Sequence, residues 1–396
     1  MRVLPALRHD ISVTVHHEDG QDYLVLTDPF AVADGPILIS ADLLSTLERC
    51  DGLTTVETLA ADMGVDVDGP QILQVLAFLG ELDRLGYMEG EAYSARKAAA
   101  EQAFAASEIR PPVCAESTYP ADPETFAEFM TDLVGPPADE DVTSTAPSAP
   151  YQTFPTILVP HLDFSAAPGL YTPLGDVLRR TVADVVVLVG TSHYGHDAAY
   201  VPTVKHFTTP YGMITTHGDV VQEVQQRLPQ DVVATSDWLH RPEHSLELPL
   251  AIIHHIWRFR SFSVVPILAA DIDISGAMSI IDDVLAERGL RPLYVISGDL
   301  AHVGLRFGHE EPAEALLDEV RRHDDDVLTL LREGDIAGFH ARIAATENHF
   351  NVCGHYPLVN ALGHRTSLPP GTVLSHAIWH DEPTGSAVSA AVVLWE

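Results

Sequence analysis

The chain has 396 residues, which is too long for one ordinary core, so we expect two domains. Its 46% apolar content excludes wholesale disorder. The formal charge of −35, from 57 acidic and 22 basic residues, excludes nucleic acid and anionic membrane surfaces as partners.

The hydropathy of the chain and its cysteine count give further expectations about cellular location and disulfide bonds. No apolar run approaches the roughly 20 residues needed to span a bilayer, so no membrane association is expected. The opening residues lack the apolar core and cleavage site of a signal peptide, and we expect a cytoplasmic protein. Cys50, Cys114 and Cys353 are too few for a disulfide framework, which leaves each of them for packing or metal binding.

Residues 1–93 have the pattern of a small separate domain. Two alternating segments at 11–15 and 23–26, separated by Asp19-Gly20, predict a β-hairpin. Helices are predicted from Ser40, from Thr55 and over residues 72–85, and residues 87–89 are predicted to form a short closing strand. A hairpin, three helices and a strand are typical of a winged helix.

Residues 94–150 are predicted to be a partly helical linker. The segment begins with an Ala-rich helical stretch over 94–106 and then becomes rich in Pro, Ser, Thr and acidic residues. A separate domain is expected to begin near Tyr151.

Residues 151–396 predict an α/β domain. Apolar strands at 156–159, 183–189, 262–268 and 292–297 alternate with helices near 169–180, 217–227, 245–257 and 274–288, and a last strand covers 387–395. Continuous apolar strands that alternate with helices indicate a mostly parallel sheet sandwiched by helices.

Histidines follow three of these strands. His161, His193 and His302 each come just after a predicted buried strand ends, and Asp299 lies in the last of these connections. Ligands bind at the carboxyl ends of the strands in open α/β sheets, because adjacent loops separate there. A single histidine after a strand is usually a loop or capping residue, but three at one edge predict a shared pocket.

Two further clusters suit the same crevice. Glu243, His244 and Glu247 lie near the start of a predicted helix, and Cys353 precedes another. Cys353 alone could be a small buried hydrophobe. A thiolate at a helix start is instead stabilised by the helix dipole and by nearby cations. Together these residues predict one pocket at this edge of the sheet, with imidazole, carboxylate and thiol groups that could bind a metal.

The order of the motifs from residue 151 onward resembles the Memo-like family, whose bacterial members are called AmmeMemoRadiSam system protein B. The matching motifs are Pro160-His161, Gly190-Thr191-Ser192-His193, Thr209-Pro210-Tyr211-Gly212, Glu243-His244-Ser245-Leu246-Glu247, Ser297-Gly298-Asp299-Leu300-Ala301-His302 and Cys353-Gly354. That family is similar to the LigB-type extradiol dioxygenases, which hold non-haem iron with two histidines and a carboxylate.

The resemblance implies roles for individual residues. His161 and His193 would be metal ligands, and Cys353 would be the third, in place of the carboxylate. His302 would match the acid/base histidine of the dioxygenases, with Asp299 and His244 lining the pocket. Asp163 adds a carboxylate near the pocket mouth. Fe(II) is the implied metal, with copper or zinc possible because a thiolate is softer than a carboxylate.

Residues 1–93 combine the hairpin and Leu-rich helices with Leu47-Glu48-Arg49-Cys50-Asp51-Gly52, followed by Thr54-Thr55-Val56. In these features they resemble PqqD-like winged helices, which bind peptides for radical-SAM peptide-modifying systems. A winged helix could instead bind DNA, but residues 1–105 contain 6 basic and 18 acidic residues, and phosphate binding needs the opposite sign. We therefore expect peptide or partner docking, or a purely structural cap.

The sequence leaves three functions open. The first is a redox enzyme with a His/His/Cys mononuclear site, acting on a small molecule or a peptide beside a radical-SAM protein partner. The second is a non-catalytic binding or scaffold protein that retains the pocket. The third is a zinc-dependent hydrolase, because zinc also accepts His and Cys ligands.

Overall fold

A computed structural model of the chain describes residues 2–138, 155–195, 200–270 and 274–396. It divides into two compact units, Met1–Ser107 and Glu108–Glu396. The acidic end of the predicted linker and the boundary expected at Tyr151 lie outside the described residues.

The first unit combines a three-stranded antiparallel sheet with four helices. Its elements are β1 Ser12–Glu18, β2 Gln21–Thr27, β3 Ile37–Ser40, α1 Leu44–Glu48, α2 Val56–Met63, α3 Pro70–Leu85 and α4 Glu91–Ala106, with a 3₁₀ turn at Ala41–Leu43. The predicted hairpin is present as β1 and β2, and Asp19 and Gly20 both take positive φ angles in its turn. The predicted helices are also present.

The first unit differs from the prediction in two strands. β3 was not predicted, and it pairs with β2. The closing strand is reduced to one isolated antiparallel bridge between Leu7 and Met88. The core includes Leu24, Leu79 and Leu82, all nearly inaccessible to solvent.

The second unit is built around an eight-stranded sheet. The strands of this unit are β4 Ile109–Arg110, β5 Thr156–Val159, β6 Val185–Thr191, β7 Tyr200–Pro202, β8 His206–Thr209, β9 Gly212–Ile214, β10 Ser263–Ala269, β11 Pro292–Ser297, β12 His302–Gly304, β13 Thr372–Asp381 and β14 Ser386–Trp395. β4, β8 and β9 form a separate three-stranded sheet, and the other eight strands form the large one. Its helices are α5 Pro123–Val134, α6 Pro168–Arg180, α7 Gly218–Arg227, α8 Glu247–Ile256, α9 Ser275–Glu287, α10 Ala313–Glu333, α11 Ile336–Ala344 and α12 His355–Leu362, with 3₁₀ turns at Trp238–His240, Leu305–Phe307 and Glu382–Thr384.

The sheet is parallel at its centre and antiparallel at its margins. The strand order is β12-β14-β5-β11-β6-β10-β7, and β13 also pairs with β14. β5, β11, β6 and β10 run parallel, whereas β7 and β14 pair antiparallel with their neighbours. The α/β prediction is confirmed, as a mixed sheet whose centre is parallel.

Helices cover both faces of this sheet, which explains its continuous apolar strands. α5, α6 and α8 contribute to the core on one face, and α7 and α9–α12 contribute to the core on the other. Alternate residues of β6 divide between the two cores: Val187 belongs to one and Leu188 to the other.

The described part of the predicted linker is divided between the two units. α4 belongs to the first unit, whereas α5 packs in the second with Phe126, Met130 and Leu133 buried. These apolar residues recur at helical spacing, so their burial stabilises α5 in spite of the acidic residues between them. The second compact unit begins at Glu108 and so includes α5, which lies within the predicted linker.

Among the described residues, no helix is both long enough and apolar enough to cross a bilayer.

Candidate metal centre

The predicted pocket residues meet at the carboxyl ends of three neighbouring strands. His161 follows β5, His193 follows β6, and Asp299 follows β11, which lies between them. Cys353 lies just before α12, where its backbone oxygen accepts a hydrogen bond from Thr191 Oγ1 at 2.9 Å. The sheet edge therefore brings together residues that are far apart in the sequence.

The His161 ring is fixed by its Nδ1 atom. Ser297 Oγ donates to the backbone oxygen of Ser245, so it accepts from His161 Nδ1 at 3.0 Å. His161 Nε2 is then without a proton, and it lies 3.3 Å from Cys353 Sγ. This nitrogen and this sulfur are placed to bind the same ion.

The His193 ring is held in a similar way by Glu243. The backbone N–H and Nδ1 of His193 donate to the two carboxylate oxygens of Glu243, at 2.8 and 2.9 Å. Its ring centroid lies 5.1 Å from that of His161. A carboxylate that holds Nδ1 fixes the orientation of the ring and leaves Nε2 as the nitrogen that can bind a metal, an arrangement that is common behind metal-ligating histidines.

His244 and Asp299 complete the immediate surroundings. The His244 ring lies 4.8 Å from His193 and 5.2 Å from His161, centroid to centroid. Asp299 Oδ1 accepts from the backbone N–H of His161 at 3.1 Å, and the backbone N–H of Asp299 donates to Cys353 Sγ at 3.2 Å.

Two sets of these residues could hold a metal ion, each with its donor atoms within 4.8 Å of one another. One set is His161, His193 and His244, and the other is His161, Asp299 and Cys353. The three predicted ligands are divided between these sets: His193 is in the first and Cys353 is in the second. His161 is common to both.

Burial and local charge shift the pKa values in opposite directions. Burial and the neighbouring imidazoles lower the pKa of His161 well below its usual value. Burial also opposes a charge on His193, but the Glu243 carboxylate and the Cys353 thiol outweigh it and raise the pKa of His193 well above its usual value. Burial raises the pKa of Cys353. In the absence of a cation the sulfur is therefore held as a thiol.

His302 and Asp299 lie close together, and their pKa values are shifted in opposite directions. His302 Nδ1 donates to the backbone oxygen of Asn351 at 3.0 Å, which leaves Nε2 free, 4.0 Å from Asp299 Oδ2. Burial and the charge on His193 lower the pKa of His302 to about 4, and burial raises the pKa of Asp299 to about 7. A neutral imidazole beside a carboxyl group that titrates near neutrality can accept and pass on a proton.

A cavity of about 480 Å³ is lined by His161, His193, His244, Asp299 and His302. Its lining includes Asp163, which was predicted, and Cys114 and Tyr194, which were not. Another part of the wall comes from residues that the sequence did not single out: Arg306, Phe307, Trp379, Asp381, Ser386, Ala387 and Val388. These residues come from the turn after β12, from β13, which was not predicted, and from the start of β14, which was predicted as the last strand.

The two glutamates at the start of α8 have different roles. Glu243 holds His193 in the pocket, as described above. Glu247 forms a buried ion pair with Arg110 and accepts from Tyr119 Oη at 2.5 Å. Arg110 and Ser297 were not identified from the sequence. Ser297 was within a matching motif, whereas nothing near Arg110 signalled its contact with Glu247.

Comparison with known proteins supports the resemblance seen in the motifs. A family model described as "Memo-like protein" matches residues 110–394. A "MEMO1 family protein" from Aquifex aeolicus is 24% identical over 386 residues, which cover 93% of this chain and 95% of that relative. A MEMO1 family protein from Thermus thermophilus is 30% identical over 247 residues, which cover 60% of this chain and 71% of that relative.

More distant matches were also found. The "Protein memo-1 homolog" of Caenorhabditis elegans is 21% identical over 210 residues, covering 51% of this chain and 59% of that protein. The solved structure of an uncharacterized protein from Escherichia coli K12 covers 61% of this chain and 99% of its own, with a TM-score of 0.35 and 14% identity, which is too low to bear on the fold. The family match covers more than half of this sequence, and the chain belongs to the Memo-like protein family.

Proposed function

We propose that the pocket binds a single transition-metal ion through His161 Nε2, His193 Nε2 and Cys353 Sγ, and that the protein is an oxidoreductase. The observation that carries the proposal is the pairing of fixed and free nitrogens. Ser297 and Glu243 hold the two Nδ1 atoms, which leaves the two Nε2 atoms as the metal donors, and His161 Nε2 lies 3.3 Å from Cys353 Sγ.

The donor set fits a transition metal better than a hard cation. Two neutral imidazoles and one thiolate give a single negative charge and soft ligands, whereas Mg²⁺ and Ca²⁺ prefer oxygen. Fe(II) is the proposed occupant, with copper and zinc as the competitors that a thiolate favours. The Cys353 thiol must lose its proton on binding, so metal affinity falls as the pH decreases.

A bound redox metal would supply Lewis acidity and electron transfer. The chain's own residues would then move protons and exclude water. His302 Nε2 would take a proton from a substrate hydroxyl or amine, since its Nδ1 proton is already committed to Asn351. Asp299, 4.0 Å away, could hold that proton in turn. Phe307 and Trp379 give the cavity aromatic walls.

The proposed substrate is a small molecule or a peptide, and the proposed partner is a radical-SAM protein. This part rests on the resemblance of the first unit to PqqD-like domains and on its strong negative charge. A pull-down with the isolated radical-SAM protein tests it. The assay is run at low ionic strength. If the full chain is captured by the radical-SAM protein and a chain without residues 1–107 is not, the proposal is supported. Equal capture of the two chains contradicts it.

The metal site is tested by anaerobic purification followed by elemental analysis. His193→Ala should lose the metal, and Cys353→Ser should bind it more weakly and shift preference toward harder ions. Cys114→Ser is the matched control, because Cys114 lines the same cavity outside the proposed ligand set. Equal metal content in all three variants and the parent would show that the ligand assignment is wrong.

Dioxygen consumption then separates the functions. Iron or copper that is oxidised by dioxygen supports the oxidoreductase. Zinc with no response to dioxygen supports a hydrolase. Binding of a partner that is indifferent to metal, with no metal-dependent reaction, supports a scaffold.

A further inference from the structure

Arg110 connects the start of the second unit to the loop that precedes α8. Its side chain is 1% exposed. Nε donates to the backbone oxygen of His240 at 3.0 Å, and Nη2 donates to the backbone oxygen of Glu243. Nη1 pairs with the Glu247 carboxylate. One guanidinium therefore holds three points on the segment from 240 to 247.

Glu247 secures the other side of this contact. Its carboxylate accepts from the backbone N–H groups of Val113 and Cys114, each at 2.8 Å, and from Tyr119 Oη at 2.5 Å. Burial opposes its charge, but Arg110 and these donors outweigh burial and lower the pKa of Glu247. The pair remains ionised and fully hydrogen-bonded, which is the condition for a buried ion pair to hold one geometry.

The segment that Arg110 holds also supports all three proposed ligands. Glu243 fixes His193, as described above. The backbone oxygen of Ser245 accepts from Ser297 Oγ, the group that fixes His161.

Cys353 is connected to the same segment by two hydrogen bonds through Thr191. Ser245 Oγ donates to the backbone oxygen of Thr191 at 2.8 Å, and Thr191 Oγ1 donates to the backbone oxygen of Cys353 at 2.9 Å. Residues 243–245 are thus the common support of ligands that come from three different loops.

From these contacts we infer that Arg110 and Glu247 are positioning residues for the metal centre, which set the geometry of all three ligands by locking residues 243–245. The inference rests on the proposed function, because it concerns the same site. It adds that metal preference depends on an ion pair that touches none of the ligands. Partners outside the ligands orient them and typically change metal affinity by about 10–100-fold.

Arg110→Lys is the informative variant, since it keeps the charge but cannot make the three forked contacts. The probe is Co²⁺, whose absorption spectrum reports ligand geometry and the sulfur–metal bond. We expect roughly tenfold weaker Co²⁺ binding and an altered spectrum, at the low end of the range for outer partners. Glu247→Gln keeps the volume and is expected to change the spectrum in the same direction.

Arg8→Lys is the matched control. Arg8 is a buried arginine in the first unit and forms its own ion pair with Asp28, at 2.9 Å. Arg8→Lys should lower the stability of the protein about as much as Arg110→Lys does, and it should leave the Co²⁺ spectrum and affinity unchanged. If Arg110→Lys lowers the melting temperature but preserves the parent spectrum and affinity, the role of Arg110 is structural only and the inference is wrong.

A metal-free measurement separates this inference from the proposed function. In the metal-free parent, ¹⁵N-correlated NMR should find His193 with its proton on Nδ1 or doubly protonated, because Glu243 holds that nitrogen. Arg110→Lys should broaden or shift this signal, and Arg8→Lys should not. If the parent binds no Co²⁺ but the His193 signal responds, the proposed function fails while the positioning role stands. An unchanged signal overturns the positioning role.

Discussion

His161 and His323 are both buried histidines of the second unit, but their surroundings differ. His161 has one nitrogen fixed by Ser297 and the other directed at Cys353. His323, on α10, has no hydrogen-bond partner for either nitrogen among the described residues, and its ring lies against Phe350, 4.3 Å between centroids. Burial alone therefore does not identify a functional histidine. We expect the pattern of one fixed nitrogen and one nitrogen directed at a neighbouring donor to distinguish a metal ligand from a packing residue.

The comparison is tested most strongly by removing each ring in turn. His161→Ala should weaken metal binding by more than about a hundredfold, since losing a ligand costs more than losing an outer partner. His323→Leu should leave metal affinity unchanged. Competition with a chelator of known affinity measures both, and an equal loss in the two variants would remove the distinction between these histidines.

Glu243→Gln tests whether fixing one ring nitrogen matters, because it weakens the hold on His193 Nδ1 without removing a proposed ligand. A glutamine offers one oxygen to the two His193 donors, so His193 Nδ1 should be held less well and metal affinity should fall about 10–100-fold. Asp163→Asn is the control, because it changes a carboxylate elsewhere in the cavity lining. A loss for Asp163→Asn as large as that for Glu243→Gln would indicate a general charge effect rather than orientation of the ligand.

The pH dependence of the free energy of unfolding tests His323, the buried histidine outside the pocket. Burial lowers the pKa of His323, so the unfolded state binds a proton more readily than the folded state. His323 should therefore reduce the free energy of unfolding as the pH falls below about 6.5, by on the order of 1 kcal/mol per pH unit until its folded pKa is reached.

Urea unfolding of the metal-free parent and His323→Leu measures this effect. The leucine variant should become more stable relative to the parent as the pH falls from 7.5 to 5.0. A difference that stays constant across this range would contradict a neutral His323 in the core.

The smallest effect is expected at His9. Its side chain is 91% exposed, with Glu89 3.7 Å away. His9→Ala should change neither metal affinity nor the free energy of unfolding by more than about 0.5 kcal/mol. A measurable loss of metal would mean that histidines outside the pocket contribute to binding.

The central part of the fold followed from local patterns. Strands such as β6 and β11 are apolar over their whole length because helices cover both faces of the sheet, and this signal is strong in a single sequence. β13 was missed because most of its residues are only half-buried and polar residues such as Ser375 and His376 interrupt its apolar pattern. α5 was missed although Phe126, Met130 and Leu133 have helical spacing, because the surrounding acids and prolines resembled a linker.

For the candidate site, the sequence indicated the pocket residues and one of their supports, Glu243, but not Ser297 or Arg110. The histidines were recognisable because each follows an apolar strand, a local feature. The contact between Arg110 and Glu247 joins positions far apart in the chain, and neither neighbourhood contains a sign of the other. Such partners are defined by packing in three dimensions, so one sequence without structure does not reveal them.

The position of β14 has a consequence for how the second unit folds. It lies between β5 and β12, and its Val393 and Leu394 pair with Leu158 and Ile157 of β5. During synthesis the edge of β5 that pairs with β14 therefore stays unpaired until β14 has been made. Pairing at such long range slows folding and leaves an apolar edge open to wrong partners. We expect chaperone dependence and aggregation during expression to be sensitive to substitutions in β14.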